Sequence, residues 1–446
     1  MQRIATVAGE PTAPMFHRFR SAAGEHLLIV PYSRVFDLSP ELARSIDGGG
    51  SDRDALVARL AQPSPGEVAL DDAVAPAPQS ISLNVSSSCN LSCSYCYAAR
   101  GGFEGAQAEP MRWPTARAAI DALLARADPA APITVGFLGG EPFANRALMH
   151  ACVHYAQQDA VRRGLDVRFS VTTNGTLLRG DDIALLRAHR FAVTISIDGG
   201  AAVQDRQRPR AGKTAAGSFD RLKRAVSPLL ADPGMAQIAA RATVTRNDFD
   251  LTRRFADILA LGFAEAGFAP LRMDKGGGDA LREDDWSAYF DALKEVARGE
   301  IARAQCGAAI RLSNLAIALR QIARGASSPY PCGAGGGYFS VAADGRWYAC
   351  HRTIGDRDFA LGDNGGLDGE RRHAFLTGRH VHAQAACRIC WARYLCSGAC
   401  HQEATTRAES SCGFIRGWLE FCFTAYCELS ARPHATSHEG LEATVP

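Results

Sequence analysis

The alternation of apolar and polar positions changes character near residue 80. From there, apolar runs at Ile81–Val85, Ile133–Leu138, Val167–Thr172, Phe191–Ile197, Gln237–Thr245 and Gly267–Arg272 alternate with stretches of helical periodicity, such as 114–127 and 146–163. Buried strands separated by amphipathic helices predict βα units around a parallel sheet. Six such units predict an α/β fold with a partial (β/α)6, TIM-like barrel, whose active site lies at the C-terminal ends of the strands. A helical stretch from Asp284 to about Arg324 is expected to close this region. Before residue 80 the chain reads as a flexible tail over 1–15, then one or two short strands and a helix opened by Ser39-Pro40. A Gly-Gly-Gly turn and a second helix over 54–62 complete a small unit, which ends near a Pro/Ala-rich linker at 72–79. Beyond Arg324 there is little periodicity to build a core, so bound metal is expected to organise that part.

Charge narrows the partners. Lys and Arg number 49 against 47 Asp and Glu in 446 residues, so a nucleic-acid partner is not implied. No apolar run reaches the ~18 residues of a membrane span, and the first twenty residues lack the apolar core of a secretory signal. The expectation is a cytoplasmic protein with no membrane partner. In a reducing compartment, fourteen cysteines point to metal or catalysis sooner than to disulfides. Three fall in one eight-residue window, and nine of the other eleven lie between 332 and 427.

The first group, Cys89, Cys93 and Cys96, has C-x3-C-x2-C spacing on a loop just after the first barrel strand. Three thiolates can hold three irons of a cubane and leave the fourth without a protein ligand. Zinc would ask for four closed ligands, or three with water, and performs no electron transfer. With the aromatic Tyr95 before the last cysteine, this segment resembles the signature of radical S-adenosylmethionine enzymes. The resemblance implies a [4Fe-4S] cluster whose open iron chelates S-adenosylmethionine, reductive cleavage to a 5′-deoxyadenosyl radical, and hydrogen abstraction. It also implies cosubstrate contacts for Gly139, Gly140, Glu141 and Pro142, which match the family's GGEP motif. Asn174 in Thr173-Asn174-Gly175, and Ser196 and Asp198 in Ser196-Ile197-Asp198-Gly199, stand at the next two strand ends. Asp205 and Arg208 match a following D-x2-R element. Arg241 on the fifth strand could hold a carboxylate through its planar fork or make a structural ion pair.

The second group comprises Cys332, Cys350, Cys387, Cys390, Cys396, Cys400 and Cys412. Seven cysteines exceed one four-ligand site, and paired zinc ribbons are the structural alternative. Their spacing resembles the SPASM extension of radical enzymes that modify peptides and proteins. That implies two auxiliary [4Fe-4S] clusters, three clusters in all. By position, Cys332, Cys350 and Cys400 would serve the first auxiliary cluster, and Cys387, Cys390, Cys396 and Cys412 the second. The first set lacks a fourth cysteine: 325–331 has none, and Cys306 reaches only if its helix folds back. An open iron, a non-cysteine ligand and a distant ligand all remain open. Cys152, Cys422 and Cys427 lie in apolar helical patterns and are expected to pack. His351 stands where anaerobic sulfatase maturases carry a catalytic aspartate. It is either a proton acceptor or a structural neighbour of the cluster.

Residues 16–76 loosely resemble the winged-helix-like modules that recognise leader peptides by adding a strand to a sheet edge. A packing extension of the barrel is the alternative. The expected division is 1–15 tail, 16–76 recognition-like module, 77–300 radical barrel and 301–446 SPASM domain. The expected activity is a peptide maturase that installs a thioether or carbon–carbon crosslink in a ribosomal peptide or protein. Its partners would be that substrate and a flavodoxin- or ferredoxin-type electron donor. A radical enzyme acting on a small molecule, a sulfatase-type maturase and a multi-cluster electron-transfer protein are the alternatives.

Overall fold

The computed structural model describes residues 13–63, 70, 75–103, 109–212, 217–273, 278–325, 327–363, 366–404 and 408–431. Most of the expected tail at 1–15, and 72–74 of the expected linker, lie outside the described residues.

Six parallel strands form the centre: β4 (Ser80–Ser86), β5 (Ile133–Gly139), β6 (Val167–Thr173), β7 (Phe191–Ser196), β8 (Gln237–Val244) and β9 (Ala266–Pro270), each hydrogen-bonded to the next. They are numbered after the N-terminal sheet β1 (Phe16–Ser21), β2 (Gly24–Ile29) and β3 (Arg34–Asp37). All six sequence-predicted strands are present, as a partial barrel that does not close. The alternation within β4 shows how it works. Ile81, Leu83 and Val85 are fully buried in the main core, whereas Ser82, Asn84 and Ser86 occupy the opposite face.

The covering helices keep their apolar residues at three- and four-residue spacing. In Trp113–Leu124 the buried positions are Ala116, Ala119, Ile120, Leu123 and Leu124. Helix Arg146–Arg163 buries Leu148, Met149, Cys152, Val153, Ala156 and Ala160. It stops at Gly164, whose φ of 69° lets Leu165 N–H donate back to Ala160 O at 2.9 Å. Cys152 and Cys422 are fully enclosed, and Cys427 is buried, all in the main core, as packing residues should be.

Three differences from the sequence reading have physical reasons. The N-terminal unit has three antiparallel strands, because β1 (FHRFRS) pairs with β2 across the tight Ala22-Ala23 turn although its sequence carries little apolar alternation. Its helices Pro40–Gly48 and Gly50–Leu60 follow, the first capped by the Ser39 hydroxyl on Leu42 N–H. The expected stretch 284–324 is two helices, Asp285–Ala304 and Ser313–Ala323, broken around Gly307 at φ 84°. The first of them runs through the expected boundary at 300. Finally, β10 (Tyr338–Val341) pairs in parallel with β4, and β11 (Trp347–Tyr348), β12 (Ala360–Asp363) and β13 (Gly366–Leu367) extend it as a meander. The cysteine-rich C-terminal region therefore shares one ten-stranded sheet with the barrel. Among the described residues no helix is long and apolar enough to cross a membrane.

Arg254 locks the strand ends that face the site. It is fully buried, and it donates to the carbonyls of Asp198 (2.6 Å), Thr243 (2.7 Å) and Asp248 (3.1 Å). Arg254→Ala would strand three buried acceptors and is expected to cost about 3–5 kcal/mol. A lowered thermal midpoint of the reconstituted protein would register it, and an unchanged midpoint would count against this role.

Candidate metal and cosubstrate site

Cys89, Cys93 and Cys96 lie on the loop after β4, beside the ends of β5 and β6. Main-chain N–H groups of Leu91 and Arg100 donate to the sulfurs of Cys89 (3.4 Å) and Cys96 (3.3 Å). Asn174 Nδ2 reaches Cys89 Sγ at 3.7 Å, and Arg208 Nη1 reaches Cys93 Sγ at 4.0 Å. Donors aimed at sulfur favour thiolate over thiol. Burial opposes them and pushes Cys89 up to about 12, with Cys93 raised for the same reason. Such thiols give up their protons only to a metal. Three cysteine sulfurs on one loop, two of them met by main-chain N–H donors, are a donor set that fits three irons of a cubane.

Gly139-Gly140 supports this loop by direct backbone contact. Gly140 N–H donates to Ser86 O (2.8 Å) and Glu141 N–H to Ser88 O (2.9 Å). A Cβ on Gly140 would stand 2.3 Å from Arg100 O and 2.4 Å from Ser88 O. These glycines are thus demanded by the cysteine loop itself, whatever else approaches them. Glu141 is fully buried: Oε1 accepts from Thr173 Oγ1 (2.6 Å) and Phe143 N–H (3.2 Å), and Oε2 from Asn174 N–H (2.8 Å). Its carboxylate ties the end of β5 to the end of β6, and burial raises its pKa despite those donors. Pro142, also buried, starts the short turn that follows.

A second knot forms at β7 and β8. Tyr95 donates its hydroxyl hydrogen to Asp198 Oδ2, which also lies 3.1 Å from Arg208 Nε. Arg208 covers the Tyr95 ring at 5.2 Å. Asp198 is fully enclosed, and its Oδ1 accepts from Thr243 N–H at 2.8 Å. Burial alone would depress Arg208, but Asp198, Tyr95 and Cys93 outweigh it and the net shift is upward. Asp205 is spent elsewhere, accepting from Ser218 and Phe219 N–H at the start of the helix Phe219–Ala231.

Arg241 differs from these arginines. It stands on β8 opposite Ser196 of β7 and Gly267 of β9. It is hemmed in by protein, which lowers its pKa, yet solvent reaches it, so it lines an open trough. No acidic partner stands beside it among the described residues.

The C-terminal cysteines fall into two places. Cys332, Cys350 and Cys400 are close enough to repel one another's ionised forms. Arg352 donates to Cys400 Sγ (3.6 Å) and to Glu403 Oε1 (2.8 Å). This group adjoins the first cysteine loop: the Tyr97 ring meets His351 edge-on at 5.8 Å and lies under Arg352 at 6.0 Å. His351 Nδ1 shares a hydrogen bond with Tyr338 Oη (2.9 Å), and burial lowers its pKa to about 4, leaving the ring neutral near pH 7. Cys306 is exposed just after the helix Asp285–Ala304. The other four, Cys387, Cys390, Cys396 and Cys412, line one cavity of about 480 Å³ with Glu409 and Arg416. Tyr97, Tyr338, Arg352 and Glu403 carried no motif; only the adjacency of Tyr97 to Cys96 and of Arg352 to Cys350 hinted at them.

Gly140→Ala is expected to displace the cysteine loop and remove iron from this site, about one third of the total if three cubanes bind, with circular dichroism preserved. Full iron content in that variant would show that the glycine contact is dispensable.

Residues 83–228 match the Radical SAM superfamily profile. The chain is 24% identical over 383 residues to a serine-type anaerobic sulfatase-maturating enzyme of Klebsiella pneumoniae, covering 80% of this chain and 88% of that one. It is 26% identical over 335 residues to an uncharacterized protein of Archaeoglobus fulgidus, covering 72% and 74%. In fold it resembles anSMEcpe with bound AdoMet, with a TM-score of 0.66 at 20% identity over 79% of this chain and 94% of that one. It also resembles Streptococcus suis SuiB bound to precursor peptide SuiA, with a TM-score of 0.51 at 12% identity over 90% and 98%. The loops at the ends of β4, β5, β6 and β7 fall within the matched segment, which gives this enzyme a domain of the Radical SAM superfamily, a family that binds S-adenosylmethionine and an iron–sulfur cluster.

Proposed function

We propose that this enzyme is a peptide or protein maturase that takes a hydrogen from an unactivated side-chain carbon and installs a thioether or carbon–carbon crosslink. The observation that carries the reading is the adjacency of Cys332, Cys350 and Cys400 to the first cysteine loop, through Tyr97 and His351. A second metal site within reach of the first suits a reaction in which the substrate must be held, and one electron removed, after hydrogen abstraction. The relatives support a polypeptide substrate: a sulfatase-maturating enzyme acts on a protein, and SuiB is bound to a precursor peptide.

Cys89, Cys93 and Cys96 hold the radical cluster in this reading. Cys332, Cys350 and Cys400 hold a first auxiliary [4Fe-4S] cluster, and Cys387, Cys390, Cys396 and Cys412 a second. The cluster and S-adenosylmethionine supply a low-potential electron and a carbon radical able to break a C–H bond. The chain's own task is positioning and exclusion of water. Arg241 anchors a carboxylate in the trough, with Ser196 beside it. Tyr95, Asp198 and Arg208 hold the cysteine loop against the ends of β7 and β8. Asn174 and the Gly139-Gly140 backbone border the same loop, and Glu141 and Pro142 shape its support. His351 is the candidate proton acceptor, neutral and buried next to Cys350, whereas sulfatase maturation by the aspartate route would lack its base here.

The N-terminal module over 16–76 is assigned to leader-peptide recognition, because its edge strand β3 could accept an added strand. A cytoplasmic setting and a flavodoxin- or ferredoxin-type donor complete the proposal, since ten thiols must stay reduced and the cluster must be recharged.

Reconstituted enzyme with dithionite and S-adenosylmethionine should release 5′-deoxyadenosine. Cys89→Ala, Cys93→Ala and Cys96→Ala combined should abolish that release while leaving about two thirds of the iron. Loss of all iron would instead favour one cooperative site. Incubation with the genetically neighbouring short peptide should yield a product lighter by two hydrogens; an unchanged peptide mass, with deoxyadenosine still formed, would point to a small-molecule substrate. Arg241→Gln should raise KM for S-adenosylmethionine about tenfold or more, with the iron content intact. An unchanged KM would place the carboxylate elsewhere.

A further inference from the structure

The N-terminal module rests on the four-cysteine cavity. His17 of β1 stacks on Trp391, with ring centroids 4.1 Å apart and planes 6° from parallel. Arg393 Nη1 donates to Pro14 O at 2.7 Å. Val30 packs with Tyr394 and Val381, and Tyr32, Cys387 and Trp391 flank the same small core. Trp391, Arg393 and Tyr394 belong to the loop that carries Cys387, Cys390 and Cys396, and Val381 to the short turn just before it.

A second element completes the docking face. The C-terminal helix Glu409–Ser430 carries Cys412 in its first turn. Further along, Phe423 meets Phe19 at 5.3 Å and Trp391 at 6.3 Å, and Glu428 Oε1 accepts from Ala22 N–H at 3.2 Å. Loop and helix thus present one joint surface to the N-terminal module, and the four cysteines line the cavity between them. The loop has little regular structure of its own: two helical segments of four residues each, Ala385–Arg388 and Arg393–Cys396. Its shape depends on what the thiols hold.

We propose that the Cys387–Cys390–Cys396–Cys412 site is the structural clasp that docks the N-terminal module, so that metal occupancy there and module docking stabilise each other. The proposal rests on the reading of this cavity as a cluster site. Linkage makes the effect reciprocal: if the filled site favours docking, docking tightens the hold on the metal by the same factor. The radical site, whose cysteines lie on a different loop, takes no part.

Hydrogen exchange on the reconstituted full chain tests this. In Cys387→Ala combined with Cys390→Ala, amides of β1 and β2 should exchange at least several-fold faster, while β6 in the barrel stays protected. The Cys89→Ala, Cys93→Ala, Cys96→Ala variant should leave β1 and β2 unchanged. From the other side, His17→Ala should speed release of about one third of the iron to a chelator by about three- to tenfold, the scale of one lost aromatic stack, leaving the other two thirds unaffected. If β6 also loses protection in the double variant, the His17→Ala measurement decides. Unchanged β1 exchange with one third of the iron gone would overturn the clasp. Unchanged iron content in the double variant would instead overturn the cluster reading of the cavity.

Discussion

The closeness of two backbones governs the site. The loop bearing Cys89, Cys93 and Cys96 lies so near the end of β5 that the chain there must be Gly139-Gly140, with main-chain hydrogen bonds from 140 to 86 and from 141 to 88. Everything else is arranged around that contact. Glu141 spends both carboxylate oxygens on β6, and the Tyr95–Asp198–Arg208 knot braces the far side of the loop against β7 and β8. A loop carrying three half-buried cysteines has little apolar surface to hold it, so these polar braces set its position.

The trough beneath follows from the strand alternation. Inward positions on β4 are Ser82, Asn84 and Ser86, Arg241 comes from β8, and Gly267 of β9 leaves room beside it. Among the described residues the buried arginines are committed: Arg254 to carbonyls, Arg208 to Asp198, Arg393 to the carbonyls of Pro14 and Cys390. Arg241 is exposed to solvent with no acidic partner among those residues, which is why it is the strongest candidate for a carboxylate.

The barrel was legible because buried parallel strands write near-continuous apolar runs, and each of the six appeared within a residue or two of its place. The cysteine spacing and GGEP were legible for a related reason: chemistry that needs sulfur or a missing Cβ leaves few residue choices. Strand β1 was not, since FHRFRS gains its stability from pairing with β2 and from the aromatic contacts of His17 and Phe19, all of them nonlocal. Nor was the parallel pairing of β10 with β4, which joins positions 258 residues apart at Ser82 and Ser340. Glu141 and the GG pair were found by motif and read as cosubstrate contacts; what the motif did not reveal is that they also hold the protein's own loop. Tyr97, Tyr338 and Arg352 escaped because their role comes from folding two distant segments together.

The N-terminal module leaves the ribosome well before its seat, the loop at 387–396 and the helix at 409–430. At ribosomal speeds of about 5–20 residues per second, some tens of seconds separate them. During that interval the nascent module can rely only on its own small core of Leu27, Ile29, Leu38, Ile46 and Val57. Its docking surface therefore waits, uncovered, until that loop and helix have been translated.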